Sequence, residues 1–147
     1  MLTAEDFLTD EERARVAAAI GEAERLTSGE IRVHVEDHIE EDVLDHAAYI
    51  FTELGMQHTR ERNGVLIYVS AGDRLVAVVG DKGVNEKVPT GFWDQTLAVL
   101  KLHFAAERRA DGLCEAVRMV AALLAKHYPP RRDDVDELSN EVSIGRR

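Results

Sequence analysis

The chain has 147 residues, and its 28 acidic and 18 basic side chains give a formal net charge of −10 at pH 7. This length fits one domain built around a single core. The negative charge argues against a nucleic-acid partner, because binding to phosphates requires a basic surface. The single cysteine, Cys114, excludes an intrachain disulfide and a thiolate metal site, and its apolar surroundings in the sequence predict a buried, inert thiol.

The first residues of the chain do not predict a targeting segment. Met1–Asp6 has neither a basic start nor an apolar core, unlike a signal peptide. No stretch approaches the roughly 20 consecutive apolar residues of a membrane-spanning helix. We therefore expect a protein that does not insert into a membrane, and the cytoplasm is the expected compartment.

Patterns in the N-terminal third predict a helix, a strand and a second helix. Thr9 and Glu12 have the spacing of a capping box, which starts the first helix. Strict alternation over 30–36 predicts a strand with one apolar and one polar side. The second helix is predicted over 42–54, and Gly55 follows it as a left-handed stop.

The rest of the chain predicts two strands followed by two helices. Residues 65–69 are apolar without alternation, which is typical of a central strand covered on both faces. The short turn that follows predicts an antiparallel hairpin with a strand over 75–79. A helix capped by Thr90 or Gly91 and a last helix over 111–127 complete the pattern.

These elements predict an α/β fold, specifically a three-layer α/β/α sandwich around a small mixed β-sheet. The first two strands are joined through a helix, so they are expected to be parallel. The hairpin makes the third strand antiparallel to the second. We predict one domain over 1–130 and a charged C-terminal tail over 131–147.

This topology also predicts a candidate metal site. The end of the third strand lies at the same sheet edge as the starts of the two parallel strands. Oxygen donors of the side chains, together with carbonyls exposed at nearby glycines, suit calcium or magnesium better than softer metals. The side chains expected to converge there are Glu30, Asn63, Asp81 and Asp94.

Each of these residues also has an ordinary structural explanation. Asp81 lies between glycines and resembles a turn residue, and Asp94 would complement a helix dipole. Glu30 at a strand start would be solvated. The six histidines are dispersed, without the spacing of a zinc motif. Only the predicted convergence of the four oxygen-bearing side chains favours a cation site.

The residues resemble the TPM-domain family, which is named for thylakoid, phosphatase and membrane-associated members. The resemblance covers about 8–128. It rests on the order and spacing of Leu8-Thr9-Asp10-Glu11-Glu12, Ser28-Gly29-Glu30-Ile31, Asn63-Gly64-Val65-Leu66, Asp73-Arg74, Gly80-Asp81-Lys82-Gly83 and Asp111-Gly112-Leu113. The tail run Asp133-Asp134-Val135-Asp136-Glu137-Leu138 is similar to that of a soluble bacterial branch.

The resemblance implies an α/β/α sandwich, and in some members calcium binding in a cleft at one end of the sheet. It also implies acid phosphatase activity for a chloroplast member and membrane-protein partners for others. The chain departs from the family pattern at one place. Many relatives have a Gly-Asp-aromatic triplet where this chain has Glu107-Arg108-Arg109. We expect Arg108 to repel a cation bound nearby.

Three functions follow from the sequence. The leading hypothesis is a noncatalytic TPM-type binding or interaction module, with calcium in the cleft and a protein partner, which the resemblance suggests is membrane-associated. The first alternative is a weak metal-dependent phosphatase acting on phosphomonoesters, although Ser28 and Ser70 have no obvious histidine partner. The second alternative is a structural partner protein without a ligand.

Overall fold

A computed structural model describes residues 1–131 and 141–145, and in them four strands and six helices. The strands are β1 (Glu30–Glu36), β2 (Gly64–Ser70), β3 (Leu75–Gly80) and β4 (Ser143–Gly145). The helices are α1 (Ala4–Phe7), α2 (Asp10–Leu26), α3 (Val43–Glu53), α4 (Lys82–Asn85), α5 (Phe92–Ala105) and α6 (Arg109–His127), with a 3₁₀ turn over Met56–His58. The predicted bounds of the three strands and four helices agree with these to within a few residues.

The strands form one mixed sheet in the order β3-β2-β1-β4. β1 pairs in parallel with both β2 and β4, and β3 pairs antiparallel with β2. The crossover through α3 and the tight hairpin therefore confirm the predicted strand directions. The strand register also confirms that the end of β3 and the starts of β1 and β2 share one edge of the sheet, because Glu30 pairs with Gly64 and Val65 with Gly80.

Helices cover both faces of the sheet, which confirms the three-layer sandwich. The larger core lies between one face and helices α2, α5 and α6, with members that include Val16, Ile20, Val33, Ile67, Leu100, Leu113 and Val117. A smaller core lies under α3 on the other face and includes Ala47, Ile50, Phe51, Leu66 and Tyr68. Alternate residues of β2 thus enter different cores, because successive side chains of a strand point to opposite faces.

Two predicted features of the strands and loops are wrong in detail. The solvation expected of Glu30 is wrong, because Glu30 is buried together with His34 and Glu36 on the polar side of β1. This side is covered because α3 packs on that face of the sheet, where His46 Nε2 lies 2.7 Å from Glu36 Oε1. Asp81, which resembles a turn residue in the sequence, is instead the N-cap of the short helix α4.

The C-terminal region is only partly described. The predicted tail over 131–147 includes residues 132–140 and 146–147, which lie outside the described residues, as does the acidic run over 133–138. Residues 143–145 form β4, a strand that the sequence patterns did not predict. Its pairing with β1 extends the sheet at the edge opposite β3.

Two further expectations concern membranes and the thiol. Among the described helices, none has both the length and the apolar character that a bilayer crossing requires. Cys114 is free and buried in α6, as predicted, and burial raises the pKa of its thiol. A raised pKa keeps the sulfur protonated at neutral pH, which makes it a poor nucleophile.

The capping box at the start of α2 gives a test of the helix prediction. The Glu12 amide donates to Thr9 Oγ1 at 3.1 Å, and the Thr9 amide donates to Glu12 Oε1 at 2.8 Å. We expect Thr9→Ala to lower the free energy of unfolding by about 1 kcal/mol in urea denaturation, because it leaves a helix amide without its acceptor. Thr90→Ala, at an exposed threonine, is the control and should change stability by less than about 0.5 kcal/mol.

Candidate functional site

Two of the four predicted metal ligands, Glu30 and Asp81, flank Gly64 at one end of the sheet. Glu30 is in register with Gly64, and the Asp81 amide donates to the Gly64 carbonyl at 2.9 Å. With neighbouring strands about 4.8 Å apart, the Cα atoms of the two acids are roughly 10 Å apart. Both residues are buried. Burial of two carboxylates requires positive charge or hydrogen-bond donors close by.

Strand alternation places these two carboxylates on the α3 side of the sheet. Glu30 precedes Ile31, which enters the larger core on the opposite side. A β-carbon at Gly80 would lie 2.8 Å from the Trp93 ring, on the side of the larger core. Asp81 follows Gly80 with an extended backbone, so its side chain lies on the opposite side. Above Gly64, the backbone carbonyl of Met56 lies 3.3 Å from where a β-carbon would stand. A peptide oxygen therefore lies on the same side as the two acids.

Arg62 holds the Asp81 carboxylate. Its Nε donates to Asp81 Oδ2 at 2.8 Å and its terminal nitrogen donates to Oδ1 at 2.9 Å, while the Lys82 amide also donates to Oδ1 at 2.7 Å. The hydrogen bond to Asp81 raises the pKa of the guanidinium. The Arg62 side chain is 49% exposed whereas that of Asp81 is 5% exposed. The cation can thus move away into solvent, and the carboxylate cannot.

The other two predicted ligands lie on the opposite side of the sheet. Asn63 precedes Gly64, so alternation places it on the side of Val65 and the larger core. It is buried, its amide donates to Thr59 Oγ1 at 3.2 Å, and its Oδ1 has no hydrogen-bond partner in the described residues. Asp94 is exposed near the start of α5, beside a cavity of about 270 Å³. The structure therefore brings Glu30 and Asp81 together, but not all four residues.

Arg108 is far from this site. The residues on either side of it, Glu107 and Arg109, line a cavity together with Arg74 at the β2–β3 turn. That turn is at the start of β3 and Asp81 is at its end, and a strand of six residues spans roughly 20 Å. The repulsion expected from Arg108 therefore does not apply to a cation at Asp81, because the two lie at opposite ends of the sheet.

A second polar cluster lies on the α3 side of the sheet, toward the end of β1, and we call it the Glu36 cluster. It contains Glu36, His34, His46 and Tyr68, all buried. One carboxylate oxygen of Glu36 accepts from the Tyr68 hydroxyl at 2.7 Å and lies 2.7 Å from His46 Nε2. The other lies 3.2 Å from His34 Nε2. Two histidines that are 12 positions apart in the sequence thus share one carboxylate.

Burial and hydrogen bonding compete in the Glu36 cluster. Burial alone would raise the pKa of Glu36, but the hydrogen bonds from Tyr68, His34 and His46 outweigh it and lower that pKa. For His34, burial dominates and lowers the pKa. One sequence signal points to this cluster: His34, Glu36 and His46 fall in an acidic, histidine-containing stretch over 34–46.

A third set of contacts joins the loop after β1 to the hairpin turn. The Ser70 hydroxyl donates to Asp73 Oδ2 at 2.6 Å, and His38 Nδ1 lies 2.8 Å from Asp73 Oδ1. The hydrogen bond from Ser70 is the main cause of the lowered pKa of Asp73. Because the carboxylate lies between the serine and the histidine, His38 is not bonded to the hydroxyl it would have to deprotonate. Ser70 is also fully buried.

The histidine, cysteine and acidic side chains do not assemble a ready metal centre. Within residues 1–131 and 141–145, no group of three or more of them has the geometry to hold a metal ion. A cation at the Glu30–Asp81 edge would therefore rely on two carboxylates plus carbonyl oxygens. Such a donor set matches a hard cation bound weakly.

Comparison with known proteins identifies a family model and solved structures that this chain resembles. A family model described as "TPM domain" matches residues 2–123. The chain is similar to the BA42 protein of the psychrophilic bacterium Bizionia argentinensis, with 43% identity, a TM-score of 0.89, and coverage of 99% of this chain and 100% of that one. It also shares its fold with the N-terminal domain of a P. gingivalis protein, at 20% identity and a TM-score of 0.67, covering 83% of this chain and 79% of that one. The search of curated proteins gave no match. The chain therefore belongs to the TPM-domain family.

Proposed function

We propose that this chain is a noncatalytic TPM-type binding module that takes calcium between Glu30 and Asp81. The observation that carries the proposal is the placement of two buried carboxylates on one side of Gly64, with the Met56 carbonyl above it. Carboxylate and peptide oxygens are the donors that calcium prefers. Asn63 and Asp94, on the other side of the sheet, are not part of this site.

In this proposal, Arg62 competes with the cation. Its guanidinium supplies the positive charge that the buried Asp81 carboxylate needs. Calcium would take the place of that charge, and the half-exposed arginine side chain would turn into solvent. Calcium must displace the Arg62 guanidinium from Asp81, so we expect it to bind weakly. Removal of the arginine side chain should therefore strengthen calcium binding.

The noncatalytic assignment rests on the serines and the thiol. Ser70 is buried and donates to a carboxylate, and Ser28 is buried 3.5 Å from Glu61 Oε2. In the described part of the chain, neither has the histidine partner that activates a serine nucleophile, and Cys114 is buried with a raised thiol pKa. These observations favour a binding module over the phosphatase alternative.

A protein partner is the second part of the proposal. It follows from the family resemblance, which includes members with membrane-protein partners, and no particular surface of this chain is assigned to it. We propose the cytoplasm as the compartment, where a free thiol such as Cys114 stays reduced. A nucleic-acid partner is disfavoured by the net charge of −10.

Calorimetric titration with calcium tests the site through two variants with opposite effects. We expect Asp81→Asn to abolish the heat of calcium binding, since it removes the central carboxylate. We expect Arg62→Asn to tighten binding about tenfold, because it removes a competing charge next to the ligand. Asparagine also tolerates the left-handed backbone of Arg62, whose φ is +52°. Calcium should raise the melting temperature of the wild type, because it binds the native state.

Asp94→Asn is the matched control, because it removes one carboxylate from the same end of the sheet but on the other face. It should leave calcium binding unchanged. Equal losses from Asp94→Asn and Asp81→Asn would contradict the proposed site and indicate nonspecific screening of charge. The absence of any calcium effect in the wild type and in Arg62→Asn would instead support a structural protein without this ligand. Phosphatase turnover that survives Asp81→Asn would contradict the metal-dependent alternative.

A further inference from the structure

A cavity lies at the end of the sheet opposite Asp81. It has a volume of about 630 Å³ and lies where the β2–β3 turn meets the turn between α5 and α6. Pockets of roughly 300–1,000 Å³ are typical of sites for small organic ligands. Its apolar wall consists of Leu2, Phe7, Val69, Val76 and Phe104. We call this space the hairpin cavity.

Positive charge surrounds the hairpin cavity. Arg74, Lys101 and Arg109 line it, against a single acidic side chain, Glu107. None of the three cations is within ion-pair distance of a carboxylate in the described part of the chain, whereas Arg13, Arg15 and Arg62 elsewhere are paired. In a protein with ten more acidic than basic residues, unpaired cations around one cavity mark a place suited to an anion.

One of the three cations, Arg109, is in contact with the apolar wall. The Arg109 guanidinium lies 5.3 Å from the centroid of the Phe7 ring, a cation–π geometry. A ligand in the cavity would therefore meet apolar surface on one side and positive charge next to it. An ion without an apolar part would leave the wall uncovered, and an uncharged apolar molecule would leave the cations without a partner.

Two backbone features fix the turns that form the cavity. Arg74 and Glu107 both have left-handed conformations, with φ of +56° and +58°. Glycine is the usual residue in this conformation, and a residue with a β-carbon costs of order 1 kcal/mol there. Arg74 therefore places a cationic side chain at a position where glycine would make the fold more stable. Replacing Arg74 by glycine should remove the charge without destabilising the fold.

We propose that the hairpin cavity binds an amphipathic anion, with an aliphatic tail against the apolar wall and a carboxylate or phosphate head at Arg74 and Lys101. The site is independent of the calcium site, since the length of β3, roughly 20 Å, separates the two. The tail supplies affinity by burial of apolar surface, and the head supplies orientation through charge-assisted contacts.

Calorimetry with sodium decanoate, below its micelle-forming concentration, tests the proposal on the full chain. We expect one decanoate to bind per chain, acetate to show no heat because it lacks the tail, and decanol to bind at least about tenfold more weakly because it lacks the charge. Decyl phosphate is the second anionic probe. Binding of either decanoate or decyl phosphate supports the proposal, and their relative affinity identifies the preferred head group.

Four variants distinguish binding in the hairpin cavity from a general effect of the net charge. Arg74→Gly and Lys101→Met should each weaken decanoate binding about two- to fivefold, since each removes one exposed cation. Arg74→Gly should keep or raise the melting temperature of the wild type, because glycine fits the left-handed backbone. Lys126→Met, at an exposed lysine of α6, is the matched control and should not change the affinity. Ala105→Trp, at an exposed helix position that lines the cavity, should block binding.

Equal weakening by Lys126→Met and Lys101→Met would overturn the proposal, because the effect would then come from the net charge. Undiminished binding to folded Ala105→Trp would also overturn it. So would acetate binding as tightly as decanoate, or binding of neither decanoate nor decyl phosphate. None of these outcomes depends on calcium, so failure here is distinguishable from failure of the calcium site.

Discussion

Replacement of Glu36 by alanine is expected to destabilise the protein by about 3–5 kcal/mol, which is a large part of the stability of a domain of this size. The variant leaves the Tyr68 hydroxyl and two histidines without the carboxylate that holds them. Each is buried, so water cannot replace the lost acceptor without opening the core. Urea denaturation followed by circular dichroism measures the loss.

Glu36→Gln separates the charge from the shape of the side chain. The amide oxygen can still accept from Tyr68, so we expect the glutamine variant to lose about 1–3 kcal/mol, less than the alanine variant. A loss below about 1 kcal/mol for Glu36→Ala would contradict the buried network. Asp10→Ala, at an exposed acid in the first turn of α2, is the comparison for loss of one surface carboxylate and should cost less than about 1 kcal/mol.

The pH dependence of stability is a second readout of the Glu36 variants. The folded-state pKa of Glu36 is lowered, so its contribution is present above its unfolded pKa of about 4.3 and is lost as pH falls through the folded value. His34 also has a lowered folded pKa, and its protonation in the unfolded state costs stability as pH falls below about 6.5. The free energy of unfolding of the wild type should therefore decline from neutral to acid pH. Glu36→Gln should remove the part of this decline that occurs below about pH 4.3, because glutamine does not titrate.

Truncation of Leu100 should have the second large effect. This side chain of α5 is fully buried in the larger core. We expect Leu100→Ala to lower the free energy of unfolding by about 2–5 kcal/mol, through lost transfer energy and the cavity left behind. Chemical denaturation gives the value, and an unchanged slope with denaturant would show that the native state keeps its extent of burial.

Leu102, on the same helix, is the matched control. It is 66% exposed, so Leu102→Ala makes the same chemical change without opening a core cavity. The expected loss is below about 0.5 kcal/mol. If the two variants cost the same, the assignment of the buried face of α5 would be wrong.

The fold could be predicted from the sequence because its signals are local. The capping box of Thr9 and Glu12 started α2 as predicted, and Gly55 ended α3 with a φ of +74°. The uninterrupted apolar run of β2 indicated a strand covered on both faces, which it is. The short elements α1, α4 and β4 were missed, since elements of three or four residues carry too little periodicity to be recognised.

The candidate site could be predicted only as far as the edge of the sheet. Strand directions placed Glu30, Asn63 and Asp81 at that edge, but the side of the sheet depends on register, which alternates from one residue to the next. Asp81 was expected to be free for a metal, yet it is paired with Arg62 from 19 positions earlier. No local pattern identifies such a pair.

The amino-acid sequence by itself determined the order of helices and strands, the strand directions and the family, because each depends on short patterns of apolar, capping and turn residues. Only the tertiary structure decided what the polar side chains do. It buried Glu36 with His34 and His46, split the predicted metal ligands between two faces, and moved Arg108 to the far end of the sheet. It also assembled the hairpin cavity from the chain start, the hairpin and the α5–α6 turn. Contacts of this kind join residues that are distant in sequence, and packing alone sets them.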